Sequence, residues 1–77
     1  MSPAFPSLST RKVMRILTGV GFYIHHQKGS HVHFRHLTKT HLRVTVPYHT
    51  RFDLPPTVIA SILKQAEITR EEFLNLL

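Results

Sequence analysis

The feature that most constrains the fold is a short turn, Lys28-Gly29-Ser30, between two segments in which apolar residues alternate with polar ones. Alternation with a period of two is typical of a strand that buries one face only. Gly29 permits the tight backbone turn that joins two such strands. The sequence therefore predicts an antiparallel hairpin, with Phe22 and Ile24 facing inward along the first strand, residues 22–25.

The second predicted strand begins at His31, with Val32 and Phe34 inward. A third predicted strand covers residues 42–46, and Pro47 ends it because proline has no N–H to donate to a sheet. The resulting three-stranded meander has an inner apolar face and an outer polar face. The predicted outer face carries Tyr23, His25, His31, His33, Arg35, Arg43 and Thr45.

Helices are predicted before and after this meander along the chain. The first follows an N-cap at Ser9 or Thr10 and runs to about Thr18. The second begins at Pro55-Pro56 and repeats its apolar residues at helical spacing through Ala66. A third begins at Thr69, which forms a capping box with Glu72. We expect Phe73, Leu74 and Leu77 of this last helix to return to the core.

The predicted fold class is α+β, in the order α-β-β-β-α-α, with a three-stranded antiparallel sheet and the helices packed on one face. Residues 1–8 hold two prolines and two serines without periodicity, so we expect a flexible N-terminal segment. Residues 9–77 are too few for a second core and are expected to form a single domain.

The charge is strongly asymmetric along the chain. Residues 1–66 hold nine of the ten Lys/Arg residues and only one of the four acids, Asp53, and the net charge is +6. Such a field attracts phosphate polymers or acidic protein surfaces. The absence of cysteine excludes disulfides, thiolate metal sites and cysteine nucleophiles. With no signal-peptide pattern and no apolar run of about 20 residues, we expect a soluble cytoplasmic protein.

His31 is the leading candidate for acid–base chemistry. It follows the turn at the mouth of a strand, where the sheet holds the ring within reach of a ligand. Histidine exchanges protons in both directions near neutral pH. Alternatively, the ring only caps the turn. A zinc site formed by His31, His33 and His25 is a further alternative, although the chain offers few acids to complete it.

The residues also resemble a known family. Gly21-Phe22, Lys28-Gly29-Ser30-His31, the segment 44–49 (Val-Thr-Val-Pro-Tyr-His) and the segment 62–66 (Ile-Leu-Lys-Gln-Ala) are similar to the HicA (YcfA-like) toxins of bacterial HicA–HicB toxin–antitoxin systems. The resemblance covers about residues 10–77. The chain departs from the family pattern at Pro56 and Glu67, where members commonly have glycine.

The resemblance implies a double-stranded-RNA-binding-domain-like fold, mRNA cleavage without a metal or other cofactor, and neutralisation by a HicB-type antitoxin. It also implies that His31 is catalytic and that His49 matches a second histidine position. We therefore expect mRNA and a HicB-type antitoxin as partners, and no membrane. The expected substrate-binding residues are Lys28, Gly29, Ser30, His33, Arg35, Arg43, His49 and Tyr23.

Two other functions remain open from the sequence. One is a non-catalytic RNA-binding module of the same fold, although the second helix carries only Lys64 and the third begins with two glutamates. The other is an interaction protein whose basic face binds an acidic partner.

Overall fold

A computed structural model describes residues 6–49 and 51–77. The elements are α1 (Thr10–Gly19), β1 (Phe22–Lys28), β2 (His31–His36), β3 (Arg43–Pro47), α2 (Pro56–Ala66) and α3 (Arg70–Asn75). The strands form one antiparallel sheet in the order β1-β2-β3. The α+β class and the predicted order of elements are confirmed. Within the described ranges, no helix is long and apolar enough to cross a membrane.

Helix α1 begins where the sequence predicts. The Ser9 hydroxyl accepts a hydrogen bond from the Lys12 backbone N–H at 3.1 Å, which satisfies one of the free amides of the first turn. Val13, Ile16 and Leu17 are buried against the sheet. After α1 the chain turns at Gly21, where φ is +101°, and enters β1 directly.

The core lies between the inner sheet face and the helices α1 and α2. It contains the inward residues of β2 and β3, together with the apolar side of α2. Helix α2 also closes the free edge of β3, because the Gln65 side chain accepts a hydrogen bond from the Thr45 backbone N–H at 2.9 Å. An edge strand otherwise leaves such amides unpaired. Helix α2 therefore holds β3 in two ways, by packing on its inner face and by a hydrogen bond at its free edge.

Helix α3 carries the predicted capping box. The Thr69 hydroxyl accepts from the Glu72 N–H at 3.1 Å, and the Glu72 carboxylate accepts from the Thr69 N–H at 3.2 Å. These hydrogen bonds hold the pKa of the Glu72 carboxyl below its ordinary value of 4.5. Phe73 is buried as predicted, but Leu74 and Leu77 remain 39% and 46% exposed, so that part of the prediction is wrong. A helix of six residues offers only one face to the core, and Phe73 occupies it.

Strand β1 is longer than predicted and contains a bulge. Its pairing with β2 shifts between Ile24, which is opposite Phe34, and His26, which is opposite His33. The extra residue is His25. Ile24 lies beside the buried Phe34 but is 52% exposed, because it sits on an edge strand at the rim of the helix layer. The expectation of a buried Ile24 is therefore wrong.

The predicted N-terminal segment, residues 1–8, falls largely outside the described residues. The structure describes residues 6–8 of it. There, Leu8 and Leu54 form an isolated antiparallel bridge, with N–H to O distances of 2.7 and 3.4 Å.

Candidate active site

The sheet register arranges the outer side chains in three rows that cross the strands. The first row is Tyr23, Arg35 and Arg43; the second is His26, His33 and Thr45; the third is Lys28, His31 and Pro47. Each row is one cross-strand alignment from β1 through β2 to β3. Neighbouring rows lie two residues apart along a strand, which corresponds to about 7 Å. We call this surface, opposite the helices, the outer face.

The third row lies at the turn between β1 and β2. Gly29 and Ser30 form a two-residue hairpin loop, and Gly29 has φ +58°. Positive φ at the first loop residue alone is the pattern of a type II′ turn, which favours glycine at that position. A Cβ on Gly29 would meet nothing within 4 Å, so backbone conformation rather than space favours glycine there.

His31 directly follows this turn and is exposed. Its opposite neighbours are Lys28 on β1 and Pro47 on β3. Within residues 6–49 and 51–77, the ring has no hydrogen-bond or ion-pair partner. Both ring nitrogens are therefore accessible to a ligand that approaches the outer face.

The chain that leaves β3 is fixed at the same end of the sheet. The Tyr48 N–H donates to the Ser30 carbonyl at 2.6 Å, which joins this segment to the turn. The buried Thr10 hydroxyl accepts from the His49 N–H at 3.2 Å and lies 3.1 Å from the His49 carbonyl oxygen, to which it can donate. The His49 backbone is thus held by α1 while its side chain stays exposed, beside an open depression of about 340 Å³ that Arg11 also lines. The sequence offered Thr10 only as a possible N-cap, and this anchoring role was missed.

The second row contains stacked histidines. The rings of His26 and His33 are 4.4 Å apart and nearly parallel, at 16°. His33 Nδ1 lies 3.2 Å from the Thr45 hydroxyl. The backbone N–H of Thr45 donates a hydrogen bond to the Gln65 side chain. The sequence predicted His25, and not His26, on the outer face. Because of the bulge, His26 takes the position opposite His33, and His25 packs edge-on against His26 at 5.2 Å.

The first row is cationic. Arg35 and Arg43 are direct cross-strand partners, with Tyr23 on the other side of Arg35. The chain has no acid between residues 22 and 47. Among the residues that the structure describes, no carboxylate pairs with either arginine. This part of the outer face therefore presents two uncompensated positive charges side by side.

His36 has a different role, which the sequence did not reveal. Its Nε2 lies 2.8 Å from the Val20 carbonyl, and its Nδ1 accepts from the backbone amides of Thr38 and Lys39 at 3.2 and 3.0 Å. These partners fit the tautomer that carries the proton on Nε2 and leaves Nδ1 as an acceptor. The ring approaches Gly21 so closely that a Cβ there would lie 2.6 Å from Nε2. His36 thus joins the end of α1 to the loop after β2 and takes no part in the outer face.

The zinc alternative requires three side chains, such as His25, His31 and His33, to converge on one point. Across the described ranges, no group of three or more His, Cys, Asp or Glu side chains is placed so that it could hold a metal ion. The described side chains therefore give this alternative no geometric support.

The comparisons with known proteins agree with the fold and the motifs. A family model described as the HicA toxin of bacterial toxin–antitoxin systems matches residues 10–68. Curated proteins gave no match. The matched segment runs from the first residue of α1 to just beyond α2 and includes the entire sheet, the turn before His31 and the His49 segment. This chain is therefore a member of the HicA toxin family of bacterial toxin–antitoxin systems.

Proposed function

We propose that this toxin is an endoribonuclease that cleaves mRNA without a metal, with His31 as its catalytic acid–base group. The observation that carries the proposal is the position of His31, which is exposed, directly after the hairpin turn, beside Lys28 and on a surface without acids. Membership of a toxin family supports a substrate, such as mRNA, whose destruction stops cell growth. An antitoxin partner follows from that membership, and we propose that it is of the HicB type and that the toxin acts in the cytoplasm.

The chemistry needs no metal because RNA contains its own nucleophile. When a base removes the proton of the ribose 2′-hydroxyl, the oxygen attacks the adjacent phosphorus and the bond to the 5′-oxygen breaks. The leaving oxygen takes up a proton, and the products are a 2′,3′-cyclic phosphate and a 5′-hydroxyl. Each proton transfer needs a positioned group, and the negative charge on the phosphate needs donors.

Residues at the turn end of the sheet are suited to these tasks. His31 exchanges the proton, either as the base or as the acid. Lys28 is its cross-strand neighbour and a cation for a phosphate oxygen, and the amides of Gly29 and Ser30 are candidate donors to the same group. We assign His49, at the same end of the sheet, to positioning the substrate. Tyr23, His33, Arg35 and Arg43 are proposed to bind RNA outside the reacting phosphate.

The test is the cleavage rate of purified toxin on a labelled RNA. His31→Ala is expected to lower the rate by at least about 100-fold while the circular dichroism spectrum stays unchanged, since an acid–base group contributes about 10²–10⁴-fold. His41→Ala is the matched control, because His41 is exposed but lies in the loop before β3 and contacts Glu67 at 3.6 Å. This control should cut at the wild-type rate. Cleavage by His31→Ala as fast as by wild type would refute the assignment.

Two further measurements separate this proposal from its alternatives. Replacing the 2′-hydroxyl at the cut site with hydrogen should abolish cleavage, and EDTA should leave it intact. Loss on chelation with rescue by zinc would favour the metal alternative. A wild-type toxin that binds RNA and produces no 2′,3′-cyclic phosphate ends would instead be the non-catalytic RNA-binding module.

A further inference from the structure

The second row of the outer face contains an aromatic surface that is already assembled. His26 contacts both neighbouring rings, stacking on His33 at 4.4 Å and meeting His25 edge-on at 5.2 Å. His33 is held by its cross-strand neighbour Thr45, whose hydroxyl lies 3.2 Å from Nδ1. We call His25, His26 and His33 the imidazole cluster. The bulge in β1 and the contact of His33 with Thr45 position these rings. A ligand that stacks there therefore has to order few side chains on binding.

The arginines of the first row adjoin this cluster. Like charges directly opposite each other on neighbouring strands destabilise a sheet. Arg35 and Arg43 form such a pair, and neither has a carboxylate partner in the part of the chain that the structure describes. An anion bound between them would remove the repulsion. The cluster and both arginines line one open concavity of about 170 Å³.

We propose that this concavity binds an unpaired nucleotide of single-stranded RNA. Its base stacks against the imidazole cluster, and the phosphates beside it contact Arg35 and Arg43. The identity of the ligand as RNA rests on the proposed function, whereas the binding mode does not. The cluster lies one row, about 7 Å, from His31. The bound nucleotide is therefore close to the one at which His31 acts.

The combination of rings and cations favours an unpaired strand over a duplex. Bases of an A-form duplex are stacked on each other, and proteins recognise such a duplex through its shape, its phosphates and its 2′-hydroxyls. Unpaired bases, in contrast, stack on aromatic side chains, histidine included. An acidic protein surface would neutralise Arg35 and Arg43 but would offer no base to stack on the imidazole cluster.

The test measures binding alone, by fluorescence anisotropy, with His31→Ala protein so that the RNA stays intact. The probes are a short labelled single strand, a duplex of the same sequence, and polyglutamate as an acidic polymer without bases. Against the single strand, His26→Ala is expected to weaken affinity about fivefold or more, because base stacking on an aromatic ring is lost. His26→Phe keeps a ring at the same position and should retain most of the affinity.

The arginines are tested through the salt dependence of the same binding. Arg43→Ala should lower the slope of log affinity against log salt by about 0.7, the value for one phosphate contact on a single strand. Arg15→Ala is the control, because it removes the same charge from α1, which packs on the opposite side of the sheet. It should weaken binding much less than Arg43→Ala does.

Several results would overturn the proposal. One is equal affinity of His26→Ala and the parent protein for the single strand, with unchanged circular dichroism. Another is tighter binding of the duplex than of the single strand. A third is polyglutamate binding as tight as RNA binding, which would mark the face as a protein interface. A failure of wild-type toxin to cut RNA would refute the proposed function but would leave this binding comparison interpretable.

Discussion

Replacement of Glu67 by glycine is expected to stabilise this protein. Glu67 ends α2 with φ 56° and ψ 39°, and it is the one residue other than glycine with positive φ among those the structure describes. Its N–H bonds to the carbonyls of Leu63 and Lys64, so the left-handed conformation closes the helix end. A side chain in this conformation costs about 1–2 kcal/mol, whereas glycine adopts it freely.

Two opposing terms reduce the gain. Glycine makes the unfolded chain more flexible, which costs about 0.4–1 kcal/mol. The substitution also removes the contact of Glu67 with His41 at 3.6 Å, but both side chains are more than half exposed, and such pairs contribute little. We therefore expect Glu67→Gly to raise the free energy of unfolding by about 0.5–1 kcal/mol.

The assay is thermal and urea unfolding of three variants in 1 M salt, where the screening length is about 3 Å and the ion pair is suppressed. Glu67→Ala removes the same carboxylate and keeps the left-handed strain, so the difference between Gly and Ala at this position isolates the backbone. It should be about 1 kcal/mol in favour of glycine, or roughly 4–8 °C in Tm. Glu71→Gly makes the same exchange inside α3 and should destabilise instead.

The reasoning fails if Glu67→Gly is no more stable than Glu67→Ala. That result would mean that the end of α2 does not require left-handed backbone. The departure from the family pattern at position 67 would then carry no energetic cost.

Two other predictions concern stability. Gly21→Ala should lower the free energy of unfolding by about 2–4 kcal/mol, because it combines backbone strain at positive φ with displacement of His36 from the Val20 carbonyl. In a His36→Ala background the same glycine substitution should cost less. Additive losses of the two substitutions in urea unfolding would contradict the close contact between Gly21 and His36. Glu72→Gln should be less stable than wild type at neutral pH, with the difference closing as the pH falls below about 4.5, because a carboxyl with a lowered pKa stabilises the fold only while it is ionised. A difference that is independent of pH in thermal unfolding between pH 3 and 7 would refute that role of the Glu72 carboxylate.

The sequence was sufficient wherever structure follows from local spacing. The Ser9 cap, the Thr69–Glu72 capping box and the alternation of β2 and β3 each depend on residues within one element, and they form as predicted. The bulge at His25 depends on how β1 pairs with β2, which local spacing does not specify. For that reason the position of His26 opposite His33, and the stack of these two rings, were not foreseen.

The histidines of the sheet show why residue type alone did not identify their roles. His36 uses both ring nitrogens to hold backbone groups, so its ring has no site left for a substrate. His33 uses one nitrogen toward Thr45 and one ring face toward His26. His31 uses neither nitrogen among the described residues, and the turn beside it fixes its backbone. A group that transfers protons to and from a ligand needs a fixed backbone and an unoccupied ring, and among these three histidines only His31 meets both requirements. An imidazole whose nitrogens were bonded to the protein would first have to break those bonds, so the same residue type at position 36 stabilises the fold instead.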